Sequence, residues 1–158
     1  MPSLNVRVDD DRATARLERV GPDARAALKD ELKDLADRIA SDARARAQNH
    51  IRYLGPKAPG SYVQSIQGGV ADGERELVGY VRSSHPLAHL MELGAGPHEI
   101  LPVAASVLAF QGPAGTVFAM HVHSPGMRPY PAILPAFEAK RGEIATDLQQ
   151  AVKDGVAK

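Results

Sequence analysis

From Pro22 to about Asn49 the apolar residues Leu28, Leu32, Leu35, Ile39, Ala43 and Ala47 recur at steps of three or four. Side chains at that spacing stack along one side of a helix, so the stretch predicts one long amphipathic helix. Such a helix is stabilised mainly by burying its stripe, which obliges the rest of the chain to supply a matching apolar surface. Asp23 stands in the first turn, where the helix dipole favours an anion, and Ala, Leu, Arg and Lys dominate the interior. The opposite face mixes signs, as in Lys29, Lys33 and Asp37, which reads as a solvated or salt-bridged surface rather than a nucleic-acid stripe.

The partner surface is read from strand-like segments. "SLNVRVDDD" alternates Leu4, Val6 and Val8 with polar neighbours and ends in aspartates that favour a turn, the pattern of a short first strand. "YLGPKAPGSY" stops the long helix with glycine and proline and reverses the chain. "SYVQSIQGGV" and "ELVGYVRSS" flank the polar "ADGER" with its Asp-Gly turn signal, and predict an antiparallel hairpin bearing Tyr62, Gln64 and Ile66, then Leu77, Gly79 and Val81. "HPLAHLMELGAG" predicts a helix of about two turns, with Pro86 at its start, Gly94 at its end and Leu87, Leu90 and Met91 on its apolar side. "HEILPVAASVLAF" and "GTVFAMHVH" predict two further strands, the first at an edge or bulged because Pro102 cannot donate to a ladder. "PAILPAFEAKRGEIATDLQQAVKDG" closes the chain with a helix whose buried side carries Ile133, Phe137, Ile144, Leu148 and Val152; Pro135 is tolerable only in its first turn, and Gly142 weakens it. The expected class is α+β: a small, mainly antiparallel sheet packed with a long N-terminal helix, a short middle helix and a C-terminal helix.

At 158 residues one core buries about two-thirds of the unfolded surface, so the reading is a single domain over 1–158. A strand or arm over about residues 1–20 and a tail over about 153–158 are its expected mobile ends. No window approaches the roughly 18 apolar residues of a membrane span, and the N-terminus lacks the pattern of a signal peptide, which predicts a chain that folds in the cytoplasm. The absence of cysteine excludes a disulfide framework, a thiolate zinc site and a cysteine nucleophile. Lys plus Arg equals Asp plus Glu at 19 each, so no global field draws the chain to phosphates, and specific nucleic-acid binding is not expected.

The histidines offer the chemical temptations. His85, His89 and Glu92 have spacings that place them on one side of a helix, but Pro86 occupies the position where a HExxH zinc protease needs its glutamate. Partly exposed polar residues on a short helix are the favoured reading there. His121 and His123 occupy alternate strand positions after a glycine, an opening similar to the cupin metal motif, and neutral imidazoles so placed can chelate an ion. The glutamate that motif requires is replaced by Met127 and Arg128, and no second cupin motif follows. A small histidine-site metal-binding enzyme therefore stands as the alternative function. No nucleophile elbow, phosphate-binding loop or dinucleotide fingerprint occurs, and the expectation is no catalytic residue, no metal and no cofactor.

Three glycine- and proline-rich blocks carry a resemblance. "APGSYVQSI" resembles the proline-rich loop and Gly-x-hydrophobic-x-x-Ser-Ile segment of the tail-completion, or minor tail component, proteins of long-tailed bacteriophages, with Gly60, Ser65 and Ile66 in matching places. "HPLAHLMELGAGPHEI" resembles the family's Glu-hydrophobic-Gly segment through Glu92 and Gly94. "HSPGMRPYPAILPAFEA" resembles its His-Pro-Gly-x-x-x-x-Pro-Phe-Leu-x-Pro-Ala block through Pro125, Gly126, Pro131, Pro135 and Ala136. The blocks run in the family's order over about residues 24–152. They depart from it where His85 replaces an aromatic, Ala95 replaces a threonine and Ser124 separates His123 from Pro125.

The resemblance implies a structural virion protein without catalysis or cofactor, a ring-forming component at the head-tail junction or tail end, made in the host bacterial cytoplasm. Its implied partners are copies of itself and neighbouring neck and tail proteins, with no membrane involved. A closed ring needs head-to-tail contacts, for which a proline-fixed loop is a suitable surface. "SPGMRPYP" offers one: its prolines reduce the freedom lost on docking, and Arg128 and Tyr130 are residue types enriched at interface hot spots.

Overall fold

The computed structural model describes residues 3–8, 12–18, 21–54, 60–103 and 105–156. In chain order the elements are β1 (Ser3–Val8), β2 (Arg12–Glu18), α1 (Pro22–Leu54), α2 (Gly60–Ser65), β3 (Ile66–Asp72), β4 (Glu76–Ser83), α3 (Ala88–Leu93), β5 (His98–Ile100), β6 (Leu108–Gly112), β7 (Gly115–Ala119), β8 (Val122–Ser124) and α4 (Ile133–Val156). The class is α+β, with antiparallel pairing throughout.

Helix α1 is the spine. Leu28, Leu32, Leu35, Ile39, Ala43 and Ala47 are all buried, together with Ala36 and Ala40. The added alanines widen the stripe enough for α1 to pack against two things at once, the β3–β4 hairpin and helix α4. The approach to the sheet is close: a Cβ on Gly68 would stand 2.4 Å from the Ala36 carbonyl oxygen, so only glycine lets the strand lie against the helix backbone there. Ile66, Leu77 and Val81 come up from the sheet, and Ala136, Phe137, Ile144 and Leu148 from α4, to complete the core. Pro135 lies in the first turn of α4, where its missing N–H costs nothing, and the helix runs unbroken past Gly142. It also continues through residues 153–156, where a tail was expected, and Gly155 is buried.

Several elements differ from the sequence expectation. The predicted hairpin exists, with Ile66 opposite Ser83 and Asp72 opposite Leu77, but its first strand begins at Ile66. Gly60–Ser65 is helical instead: Tyr62 is wholly buried, and the Ser65 hydroxyl donates to the Tyr62 carbonyl at 2.6 Å, closing a turn that a strand could not make. Strand β2 has no counterpart in the reading above. It is inserted between β1 and β4, giving the order β1-β2-β4-β3. The two strands expected after Gly96 are four, arranged as two separate two-stranded sheets, β5-β8 and β6-β7. Pro102 falls in the break between β5 and β6, and a second break at Met120–His121 divides β7 from β8.

Candidate functional site

The segment from Pro125 to Pro131 is held at both ends by the end of α3. Gly94 follows α3 with φ +74°, and a Cβ there would meet the Met127 carbonyl oxygen at 2.6 Å. Gly126 has φ +81°, and its Cβ would fall 2.2 Å from the Ala95 carbonyl oxygen. Two left-handed glycines thus let the chains approach until Ala95 and Met127 exchange backbone hydrogen bonds of 2.8 Å in each direction. Further along, the Tyr130 N–H donates to the Met91 carbonyl at 2.7 Å.

Glu92 fixes the point where this segment becomes helix α4. Its carboxylate accepts from the Ala132 N–H at 3.1 Å and from the Ile133 N–H at 3.1 Å, two donors that the helix start leaves without intrahelical partners. It also accepts from the Tyr62 hydroxyl. Burial, then the hydrogen bond to Glu92 and the charge of that carboxylate, push the Tyr62 phenol well above its ordinary value of 10.0. One carboxylate therefore joins α2, α3 and α4, and its lone pairs are committed to the fold.

Against this frame lies a cleft of about 530 Å³, lined by Arg46 and His50 of α1, by Arg128, Pro129, Tyr130 and Pro131, and by Pro135 of α4. His50 Nδ1 donates to the Tyr130 carbonyl at 3.2 Å, which sets its tautomer and fixes its ring 5.7 Å from that of Tyr130. Arg128 Nε donates to the Tyr130 hydroxyl at 2.7 Å, and the guanidinium lies over the Tyr130 ring, 4.9 Å from its centroid. A second cavity, of about 10 Å³, sits inside the core among Leu32, Ile39 and Phe137, and has room for no ligand beyond the size of a water.

The histidine pair is engaged differently from a chelate. Glu99 of β5 accepts from His123 Nδ1 at 2.7 Å and forms an ion pair with His121, so one carboxylate bridges both imidazoles. The hydrogen bond from His123, then the positive influence of His121 and His98, holds the Glu99 carboxyl below its ordinary value of 4.5. Among the described residues no group of three or more His, Asp or Glu side chains is disposed to hold a metal ion. His85 packs edge-on against Tyr62, 6.1 Å between centroids, with its Nδ1 accepting from the Leu87 N–H at 3.2 Å.

Of the residues singled out from the sequence, Glu92, Gly94, Gly126, Arg128, Tyr130, Pro131 and Pro135 converge at the α3–α4 junction and its cleft, while Pro125 is exposed beside it. Ser65 and Ile66 lie apart at the α2–β3 joint, where Ser65 meets the Ser83 hydroxyl at 2.6 Å and the Ile66 carbonyl accepts from Arg44 at 2.9 Å. Gly60 opens α2 with open space around it. Arg46, His50, Tyr62 and Glu99 went unread as site residues. The i, i+4 pair Arg46 and His50 on α1 is the one local signal that pointed to the cleft, and it is indistinguishable from an ordinary polar face until α4 is in place.

No known protein family, curated protein or solved structure matches this chain.

Proposed function

We propose that this protein is a structural component of an assembly, a ring-forming subunit of the neck or tail end of a tailed bacteriophage, working through surfaces rather than catalysis. The observation that supports this reading is the β6–β7 hairpin. Among the described residues it pairs only with itself, in the register Leu108 opposite Ala119 to Gly112 opposite Gly115, and it leaves Phe110, Val117 and Phe118 exposed. Met120 follows at 74% exposure and Val103 precedes it at 100%. A lone two-stranded hairpin is marginal in water, and apolar side chains exposed on both of its faces suit a contact surface. Its strand edges are open to pairing, which suits head-to-tail contacts between copies.

The phage context rests on the resemblance of the three glycine- and proline-rich blocks. The proline segment 125–131 is a second candidate contact, pre-ordered by the α3 anchors so that little freedom is lost when a neighbour docks. No described helix is long and apolar enough to cross a membrane.

Native mass spectrometry of the desalted, chelator-free protein reads subunit number and bound metal together. A metal-free closed oligomer is expected, and a monomer carrying one stoichiometric metal would replace this reading with the histidine-site enzyme. In a phage carrying Arg128→Ala with Tyr130→Ala, head-tail joining is expected to weaken while the isolated protein keeps its fold. Normal infectivity would remove the proline segment from the interface.

A further inference from the structure

We propose that the cleft between α1 and the 128–131 segment is a binding site for a carboxylate side chain presented by an extended acidic peptide. Two guanidiniums line it, from Arg46 and Arg128. Arg46 is already neutralised in part: the Asp42 carboxylate stands 3.5 Å from both Nε and Nη2, at the outer limit of a useful contact, and leaves the buried Nε without a hydrogen bond. The Arg46 side chain is otherwise partly exposed, so the outer part of its guanidinium, not the buried Nε, is what a ligand in the cleft can reach. Arg128 has no carboxylate partner among the described residues; its Nε is spent on the Tyr130 hydroxyl, which orients the rest of the fork.

The charge and shape of the cleft point to the ligand. Asp42 offsets Arg46 in part, the His50 imidazole is held by the Tyr130 carbonyl, and Arg128 has no carboxylate partner, so the described side chains leave the cleft net positive. A carboxylate is a planar anion that a guanidinium fork holds in a bidentate pair. The remaining walls are Pro129, Pro131, Pro135 and the Tyr130 ring, flat apolar surfaces against which the backbone of an extended chain can lie. A volume of about 530 Å³ is larger than a lone carboxylate fills and falls within the usual range of ligand pockets. The Tyr130 backbone is pinned on one side by Met91 and on the other by His50, so the site exists before the ligand arrives. This inference shares Arg128 and Tyr130 with the contact proposed for the 125–131 segment, but it concerns a cleft within one copy of the chain and is read by ligand binding rather than by oligomeric state.

The test is a titration of the full-length, nitrogen-15-labelled protein followed at the Arg Nε–H signals and the backbone amides of residues 127–130. The probes are Ac-Ala-Glu-Ala-NH2, its glutamine counterpart and inorganic phosphate. The glutamate peptide should give saturable shifts at these signals, with the glutamine peptide binding at least about tenfold more weakly, the loss of one charge-assisted contact. Arg128→Gln and, separately, Arg46→Gln should each weaken the glutamate peptide by about the same factor while the rest of the spectrum stays folded. Equal binding of the two peptides, or no saturable shift, would overturn the site. Phosphate binding more tightly than the glutamate peptide would overturn the carboxylate assignment. Either result leaves the oligomer measurement to decide the ring on its own.

Discussion

The body built from α1, α4 and the four-stranded sheet treats its apolar residues very differently from the stretch between Ile100 and Met120. In the body Leu28, Leu32, Ile66, Leu77, Ile144 and Leu148 are at most 1% exposed. In the later stretch Phe118 is 67% exposed and Met120 74%, although these side chains are no less hydrophobic. The difference lies in what faces them. A long helix presents its stripe to a sheet on one side and a second helix on the other, whereas the β6–β7 hairpin leaves most of its residues exposed. Hydrophobicity drives burial only where a partner surface is within reach, and the chain supplies that surface for one region but not for the other. The two regions therefore differ in their contribution, with the body holding the core and the β6–β7 hairpin leaving apolar side chains exposed.

The contrast breaks most sharply at Leu32. Leu32→Ala removes a fully buried side chain beside the small core cavity and should cost about 3 kcal/mol in a denaturant unfolding experiment. A cost near that of a surface substitution would mean that the body is not the rigid half.

Tyr62 tests the joint at which α2, α3 and the start of α4 meet. Tyr62→Phe removes the donor to Glu92 and should cost about 1 kcal/mol at neutral pH. The phenol has a folded-state pKa above the unfolded value of 10.0, so the stability linked to it is complete below about pH 10 and declines as the pH rises beyond that. Wild-type protein should thus lose stability above pH 10 more steeply than Tyr62→Phe, as read from paired unfolding curves. Parallel curves would show that the Tyr62–Glu92 bond does not hold the joint in solution.

Phe118→Ser should change the unfolding free energy of the isolated chain least, by under about 0.5 kcal/mol, because the side chain has little burial to lose. The same substitution should lower the oligomer fraction in native mass spectrometry. A large stability loss without any change in association would make the β6–β7 hairpin part of the body.

Much of the body was legible in the sequence. The three- and four-residue spacing of Leu28 to Ala47 has one structural solution, and the β3–β4 hairpin was visible in its two apolar runs around a polar break, although the chain turns at Glu74–Arg75 and not at Asp72–Gly73, whose aspartate ends β3. Strand β2 was missed because "RATARLE" is made of good helix formers, and its strand state comes from pairing with β1 and β4. The "SYVQS" segment was misread as strand because a five-residue apolar alternation does not distinguish a strand from a turn of helix, and burial of Tyr62 over the α3–α4 junction decides between them. The candidate site divides the same way. Glycine and proline marked Gly94, Gly126, Pro131 and Pro135 in advance, since these residues restrict or release the backbone locally. The partner of the two histidines and the far wall of the cleft could not be read, because Glu99 is remote in sequence from His121 and His123, and Arg46 and His50 are remote from the 128–131 segment.

The sequence by itself determined the long helix, the closing helix, the hairpin and the sharply punctuated segment between residues 125 and 135, because periodicity, turn chemistry and backbone restriction act over a few residues. Only the tertiary structure decided that Glu92 would cap α4, that Glu99 would bridge His121 and His123, and that Arg46 and Arg128 would share a cleft. Those contacts depend on where whole elements come to rest, and their positions follow from the packing of the core rather than from any local pattern of residues.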